Sequence, residues 1–292
     1  MRPDAAFHFR HLECPYSHLE SNTKPRGDTM RTTHWLMTAI IGLLLMGAGI
    51  ATAPTPEARQ ALAPTGKLRV AFLLGPIHAT KDLATGELKG VAVDLGKDLA
   101  RRVGVPFDPV VYPNPPALID GAKSGAWDVA LVGISDERTA VMDFSAPYME
   151  VEQGYLVRAG VSIATASDVD KAGTRIGVLE KSIADLYLSR TLKNATLVRI
   201  KSIPENYALL DTGNADVIAA TKTALFTGAA SRPGSRVLDG RILVEPVGMC
   251  VPKGRNTAAA VYVGKFVEEA KAAGLVKSAI ERAELRGVVA AP

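Results

Sequence analysis

Short apolar segments alternate with amphipathic segments of helical period along the first half of this sequence. Lys67 to Leu74 and Phe107 to Tyr112 have the composition of strands, and Val129 to Val132 is an apolar run typical of a buried strand. Between the first two, apolar residues recur at every fourth position from Val91 to Val103, which indicates a helix that packs on a sheet. Strands that alternate with helices predict a parallel sheet with right-handed crossovers.

The same alternation resumes in the second half of the chain. Strands are predicted at Thr174–Leu179, Thr196–Ile200 and Asp216–Ala219, and helices begin after Ser182 and Ser202. The length of the chain suits two α/β lobes better than one large lobe. Because ligands of open α/β sheets bind at the carboxyl ends of the strands, the loops that follow these strands are the expected positions of a site.

The N-terminal region differs from the rest of the chain. Residues 1–29 have no hydrophobic periodicity, and we interpret them as an extension that arises from an incorrectly assigned start codon. Residues 30–53 contain a basic start, an uncharged run from Trp35 to Ile50 and a small-residue cleavage site, which is the order of a secretory signal peptide. A Pro- and Ala-rich linker is predicted at residues 54–65. The alternative is a membrane anchor, because the uncharged run approaches the length that spans a bilayer.

Composition and charge exclude several classes of protein. The 292 residues include 34 Lys and Arg, 30 Asp and Glu, and 5% aromatic residues, which argues against a nucleic-acid partner. Beyond the predicted signal peptide, the chain has only one His, His78, and one Cys, Cys250. A disulfide framework and a zinc site built from several Cys and His are therefore excluded. We expect no metal, no cofactor and no catalytic residues, because nucleophile and nucleotide-binding motifs are also absent from the sequence.

The loop after Val132 contains the most distinctive candidate residue. Gly-Ile-Ser-Asp follows the predicted strand, and Ser135 or Asp136 could cap a short helix. Arg138 then lies in the first turn, where a cation opposes the helix macrodipole and gains nothing for helix stability. A guanidinium in this position is suited to bidentate binding of a carboxylate. An exposed or salt-bridged arginine is the alternative.

Several motifs, in this order along the chain, resemble those of a known family. They are Gly-Glu-Leu-Lys-Gly-Val-Ala-Val-Asp-Leu from Gly86, Glu-Arg followed by Asp-Phe-Ser-Ala-Pro-Tyr from Glu137, Tyr-Leu-Val from Tyr155, Arg-Ile-Gly-Val from Arg175 and Pro-Gly-Ser-Arg-Val-Leu from Pro233. From about Gly66 to its end, the chain is similar to the periplasmic solute-binding proteins for amino acids that serve ABC importers. These proteins form the bacterial extracellular solute-binding family 3.

The resemblance implies the type 2 periplasmic-binding fold, an α/β clamshell of two lobes. Each lobe is expected to be a mostly parallel sheet flanked by helices, and two hinge crossings join the lobes. Residues 66–157 and 247–292 would form the first lobe, and residues 158–246 the second. The first hinge strand is predicted at Tyr155–Arg158 and the second at Val247–Val251.

The resemblance also implies that Arg138 binds the α-carboxylate of the ligand. Loops at the predicted carboxyl edges add the candidates Pro76, Asn114 and Ser135 in the first lobe, and Ser182, Thr221 and Lys222 in the second. The free backbone N–H groups after Ser182 favour a carboxylate, although a plain N-cap is the alternative. His78 is a further polar candidate, with an ordinary loop histidine as the alternative.

The sequence departs from the family where the ligand ammonium should bind. Family members usually place an Asp at the end of a second-lobe strand, and this chain has Thr221 there. Glu150 and Glu152 precede the first hinge strand and would share one face of it. We predict that Glu152 lies at the cleft floor as the counter-charge, with a solvated strand end as the alternative. Failing that, the ligand is not an ordinary α-amino acid.

By resemblance, the predicted function is that of the substrate-binding component of an ABC importer. The expected partners are a small carboxylate-bearing solute and the membrane permease, and we expect a periplasmic monomer. An alternative on the same fold is an enzyme that resembles cyclohexadienyl dehydratase, with Glu152 or Glu180 as general acid. A sensor ectodomain is a third possibility.

Overall fold

The computed structural model describes residues 52–255 and 257–292, which form a mixed α/β structure. The strands are β1 (Leu68–Leu73), β2 (Thr80–Lys81), β3 (Leu88–Lys89), β4 (Phe107–Tyr112), β5 (Val129–Gly133), β6 (Met142–Val157), β7 (Arg175–Leu179), β8 (Thr196–Ile200), β9 (Val217–Thr221), β10 (Arg236–Val237), β11 (Leu243–Pro252) and β12 (Val288–Ala290). The helices are α1 (Pro56–Leu62), α2 (Val91–Val103), α3 (Pro115–Lys123), α4 (Asp136–Thr139), α5 (Ile183–Thr191), α6 (Ile203–Asp211), α7 (Lys222–Ala230), α8 (Thr257–Ala272) and α9 (Leu275–Arg282).

Two parallel sheets are joined edge to edge through antiparallel strands. In what we call the first lobe, β1 pairs in parallel with β4 and β5, and in the second lobe β7 pairs in parallel with β8 and β9. Strands β11 and β6 lie between them, so the order is β4-β1-β5-β11-β6-β9-β7-β8. The predicted fold class, a two-lobed α/β clamshell with parallel sheets, is confirmed.

The strands that join the lobes are longer than the predicted hinge segments. Strand β6 begins at Met142 rather than Tyr155, and β11 extends from Leu243 to Pro252. The C-terminal strand β12 also pairs with β6, at residues 149–151. A third segment of chain therefore reinforces the connection, which the sequence pattern did not indicate.

Each lobe has its own apolar core. The first lobe buries large side chains such as Phe72, Leu99 and Trp127 between its sheet and helices α2, α3 and α8. The second lobe buries Ile176 of β7 and Leu188 of α5 in one apolar cluster. The cores hold each sheet rigid, so the loops at the strand ends are presented on two stable platforms.

The same Arg–Asp arrangement holds the start of the central strands in both lobes. The carboxylate of Asp128 accepts hydrogen bonds from the backbone N–H and Nε of Arg69, at 3.0 and 2.9 Å. Asp216 accepts the equivalent bonds from Arg175, at 3.0 and 3.1 Å. Both pairs lie at the amino ends of the strands, which leaves the carboxyl ends available for a site.

The predicted linker at residues 54–65 is wrong, because this segment contains helix α1. Thr55 caps the helix with its side chain, which accepts a hydrogen bond from the N–H of Ala58 at 3.2 Å, and Leu62 is fully buried in the core of the first lobe. A Thr followed by Pro is a helix start signal that the Pro- and Ala-rich composition obscured.

The predicted N-terminal extension and nearly all of the predicted signal peptide lie outside the described residues. Within the ranges that the structure describes, none of the helices combines the length and the hydropathy that a membrane span requires.

Candidate functional site

A cavity of about 100 Å³ lies between the two lobes, at the carboxyl ends of their parallel strands. The first lobe contributes the loop after β1, the end of β5 and helix α4, and the second lobe contributes the starts of α5 and α6 and the end of β9. Strands β6 and β11 add one residue each, Gln153 and Glu245. This position between the lobes is the one expected for a small-molecule site in such a fold.

Arg138 contributes a buried positive charge to this cavity. Only 3% of the residue is exposed, and its side chain lies between the end of β5 and the loop before α5. Its guanidinium donates two hydrogen bonds to backbone carbonyls, one to Gly133 at 2.6 Å and one to Lys181 of the second lobe at 3.0 Å. Burial lowers the pKa of Arg138 from its ordinary value, and the charge of Glu245 opposes that shift.

No carboxylate of the described residues forms an ion pair with Arg138, and carbonyl groups carry no net charge to neutralise it. A buried charge is costly unless it is paired. The guanidinium has five N–H donors, so donors remain for a ligand after the two backbone bonds. The arrangement is suited to bind an anion, and a planar carboxylate matches the geometry of the fork.

The cavity also contains one buried carboxylate, which the sequence analysis missed. Glu245 on β11 is 6% exposed, and its Oε2 accepts a hydrogen bond from the side-chain amide of Gln153. Burial raises the pKa of Glu245 to about 7, although Arg138 and the bond from Gln153 act in the opposite direction. The available signal was that Glu245 is a single Glu in an otherwise apolar stretch. It precedes the predicted hinge strand Val247–Val251, so it was not assigned to that strand or to the site.

Two further polar groups in the cavity wall have no hydrogen-bond partner within the described residues. They are Nδ1 of His78 and Oδ1 of Asn206, and both residues are 4% exposed. Burial, and secondly the charge of Arg138, lowers the pKa of His78 to about 4, so the imidazole is neutral at pH 7. Both residues line the cavity, but Oδ1 of Asn206 lies against Gly177 of β7, where a Cβ atom would be 2.6 Å away.

Four of the predicted site residues line the cavity: Arg138, Pro76, Ser182 and Thr221. Ser182 and Thr221 are N-caps whose hydroxyl oxygens accept from the N–H groups of Asp185 and Ala224, at 3.2 and 3.4 Å. Their side-chain acceptors therefore serve their own helices.

The structure contradicts the predicted placement of Glu152 at the cleft floor. Its carboxylate pairs with Lys222 at 2.9 Å and with Arg241 at 3.2 Å, away from the cavity wall. Lys222, also predicted as a site residue, is thereby engaged outside the cavity. Strand alternation does place Glu150 and Glu152 on one face, but the cavity lies on the other, where Gln153 points.

Ser135 and Asn114 also lie outside the cavity wall. Ser135 is the N-cap of α4 but makes no side-chain cap bond, and its buried hydroxyl has no partner among the described residues. Asn114 caps α3 by accepting from the N–H of Ala117 at 3.0 Å, and its amide donates to the carbonyl of Lys201 in the second lobe at 3.0 Å. Asn114 therefore joins the lobes at the rim of the cavity rather than forming its wall.

We expect Asn114→Asp to weaken ligand binding by about threefold to tenfold, which is the effect of one lost hydrogen bond. Aspartate keeps the acceptor that caps α3 but has no amide to donate to Lys201, so the contact between lobes is lost while the helix cap is retained. Isothermal titration measures the affinity, and chemical denaturation should show a nearly unchanged free energy of unfolding. A loss of stability without a change in affinity would contradict this role.

Within the described residues, no group of three or more His, Cys, Asp or Glu is arranged to hold a metal ion. The arrangement instead offers one cation, one titratable carboxylate and several neutral polar atoms in an otherwise apolar cavity. Such a lining is suited to binding a small organic solute.

Comparison with known proteins supports this interpretation. The model of the family described as bacterial extracellular solute-binding proteins, family 3, matches residues 76–282. The ABC transporter glutamine-binding protein GlnH of Bacillus subtilis is 25% identical over 189 residues, which cover 63% of this chain and 68% of that protein. A glutamine-binding protein of Geobacillus stearothermophilus is 22% identical over 178 residues, covering 59% and 67%.

Solved structures with the same fold cover most of the described chain. A mutant of ArgBP from T. maritima superposes with a TM-score of 0.68 and 25% identity, covering 77% of this chain and 98% of that one. An ancestral amino-acid-binding protein, described as a precursor of cyclohexadienyl dehydratase, superposes with a TM-score of 0.66 and 23% identity, covering 77% and 98%. With its fold, its cavity between lobes and the match over residues 76–282, this chain belongs to the bacterial extracellular solute-binding proteins of family 3.

Proposed function

We propose that this protein is the substrate-binding component of an ABC importer for a small amino-acid-type solute, and that Arg138 binds the carboxylate of that solute. The observation that carries the proposal is a buried guanidinium in the wall of the cavity without an anionic partner among the described residues. A ligand carboxylate would supply that partner and use donors that the two backbone bonds leave free.

The contacts between lobes support a binding mechanism based on closure. Arg138 belongs to the first lobe and donates to the carbonyl of Lys181 in the second, and the side chain of Lys181 pairs with Glu137 of the first lobe at 3.4 Å. A ligand that contacts both walls of the cavity has higher affinity for the closed arrangement and therefore shifts the population toward it. The closed form is then the one that a membrane permease would recognise.

The family and its relatives support an amino acid as the class of solute, since two similar proteins are glutamine-binding proteins of the same type. We accordingly place the protein outside the cytoplasmic membrane, in the periplasm, where it would act as a monomer with a permease as its protein partner. These assignments extend what is known of the family to this chain.

A dehydratase activity has less support. The alternative derived from the sequence required Glu152 or Glu180 as the general acid, and neither residue lines the cavity. Glu152 is moreover paired with Lys222. Incubation with prephenate or arogenate, with detection of the aromatic product, tests this alternative directly, and turnover would contradict a function limited to binding.

A thermal-shift screen followed by isothermal titration tests the proposed function. The panel contains the L-amino acids, the carboxylic acids that lack their amino group, and the amines that lack their carboxylate. We expect at least one amino acid to raise the melting temperature, because a ligand at 100 times its Kd stabilises the folded state by about 2.7 kcal/mol. A protein that binds no amino acid, or binds the amine as tightly as the amino acid, would contradict the proposal.

A further inference from the structure

We infer that Glu245 binds the ammonium group of the ligand, and that the ligand is a zwitterion whose side chain carries no charge. This inference rests on the proposed function and adds the residue that replaces the missing acidic group, together with the class of side chain. Glu245 on β11 thereby takes the role of counter-charge to the ammonium that was expected of Glu152 on β6.

The carboxylate of Glu245 occupies a space that exists only because residue 133 is glycine. A Cβ atom at Gly133 would lie 2.0 Å from Oε1 of Glu245 and 3.0 Å from the side chain of Ile183. The amide of Gln153 holds the other oxygen, Oε2. Oε1 has no hydrogen-bond donor among the described residues, so one oxygen is oriented and the other is available to a ligand.

The two charged residues of the cavity lie on either side of Gly133. The carbonyl oxygen of Gly133 accepts the bond from Arg138 at 2.6 Å, while its Cα faces the carboxylate of Glu245. The two residues interact electrostatically but do not form a direct ion pair. Two opposite charges close to one backbone residue match a ligand whose carboxylate and ammonium are attached to the same carbon atom.

The rest of the cavity wall restricts the side chain of the ligand. Among the described residues of the wall, Arg138 and Glu245 are the only Lys, Arg, Asp or Glu, and most of the remainder are aliphatic. A second charge on the ligand would be buried without a partner, which is strongly unfavourable. The polar residues His78 and Asn206 of the wall carry no charge at pH 7 and so offer no partner for a charged ligand side chain.

The environment of Glu245 makes ammonium binding depend on pH. Arg138 of α4 is the charged group that acts on Glu245, and Glu245 itself acts on the phenol of Tyr148 on β6. Arg138 in turn interacts with His78, Cys250 and Glu137, of which Glu137 pairs with Lys181. Burial keeps Tyr148, His78 and Cys250 neutral at pH 7, so Arg138 is the charge that faces Glu245. The free carboxyl has a pKa of about 7, and an ammonium ligand must therefore displace its proton below that pH.

The test compares wild-type protein with Glu245→Gln, using an amino acid identified by the screen and the acid that lacks its amino group. Glutamine preserves size but not charge, so we expect at least about a 20-fold weaker affinity for the amino acid and less than a threefold change for the deaminated acid. Glu152→Gln is the matched control, because its carboxylate lies outside the cavity and should affect neither ligand. Amino acids with charged side chains should bind at least about tenfold more weakly than neutral ones of similar size.

A second measurement does not depend on the folding of the variant. Titration of wild-type protein at pH 6 in buffers of different ionisation enthalpy should show proton release on binding of the amino acid and none for the deaminated acid. The inference is overturned if Glu245→Gln weakens both ligands equally, if Glu152→Gln causes the loss, or if no proton is released. Failure of the wild-type protein to bind any amino acid would overturn the proposed function as well, whereas binding that is insensitive to Glu245 overturns this inference alone.

Discussion

Arg138→Ala is expected to weaken binding of the ligand by at least about 100-fold, or about 3 kcal/mol. The guanidinium is the only Lys or Arg in the described cavity wall, and its burial keeps water from screening an ion pair with a carboxylate. Isothermal titration with the amino acid found by the screen measures the loss directly. Arg138→Lys should recover only part of the affinity, because an ammonium lacks the planar fork.

The same substitution should have a smaller effect on the fold. Removing the side chain leaves the carbonyls of Gly133 and Lys181 without their donor, but it also removes a buried charge that burial disfavours. We therefore expect the free energy of unfolding to change by less than about 1.5 kcal/mol. Arg241→Ala is the control, since this exposed arginine pairs with Glu152 outside the cavity. An unchanged affinity in Arg138→Ala would exclude the guanidinium as the carboxylate site.

Glu245→Gln and His78→Gln are expected to change the pH dependence of stability in opposite directions. Burial raises the pKa of Glu245 from 4.5 to about 7 in the folded protein. The folded state therefore holds a proton that the unfolded chain has lost, and this stabilisation is present below pH 4.5 and disappears as the pH rises to about 7. Its size is about 3 kcal/mol, at 1.36 kcal/mol for each unit of pKa.

For His78 the sign is reversed. Its pKa falls from 6.5 to about 4 on folding, so the unfolded chain binds the proton more tightly. The associated stability is present above pH 6.5 and is lost as the pH falls toward 4. Between pH 4.5 and 6.5 the two contributions oppose each other. This pair should therefore cause little net change with pH in the free energy of unfolding of the wild-type protein.

Chemical denaturation at several values between pH 4.5 and 7.5 separates the two groups. Relative to wild type, Glu245→Gln should gain stability as the pH rises, and His78→Gln should lose stability over the same range. Comparison with wild type cancels the contributions of groups that all three proteins share. Parallel curves for the three proteins would show that neither group changes its pKa on folding.

The sequence by itself was sufficient for the class of fold and for part of the candidate site, including Arg138. Hydrophobic periodicity located the strands β1, β4 and β5 and helix α2 closely, because these elements bury one face or both and their period records that burial. Arg138 follows a buried strand at a carboxyl edge, and a loop in that position enters the cleft in any fold of this type. Ser182 and Thr221 were predictable because they follow strands at the same edge, and the N-cap of Ser182 is in addition a local sequence signal.

Tertiary structure decided which charges face the ligand. A period of two predicts that Glu150 and Glu152 share a face, but it does not say which face meets the second lobe, and the cavity proved to lie on the side of Gln153. Glu245 enters the cavity because β11 crosses between the lobes beside Gly133, a residue distant in sequence that has no Cβ to exclude it. Burial and charge pairing depend on such contacts between remote segments, so they appear only when the chain is folded.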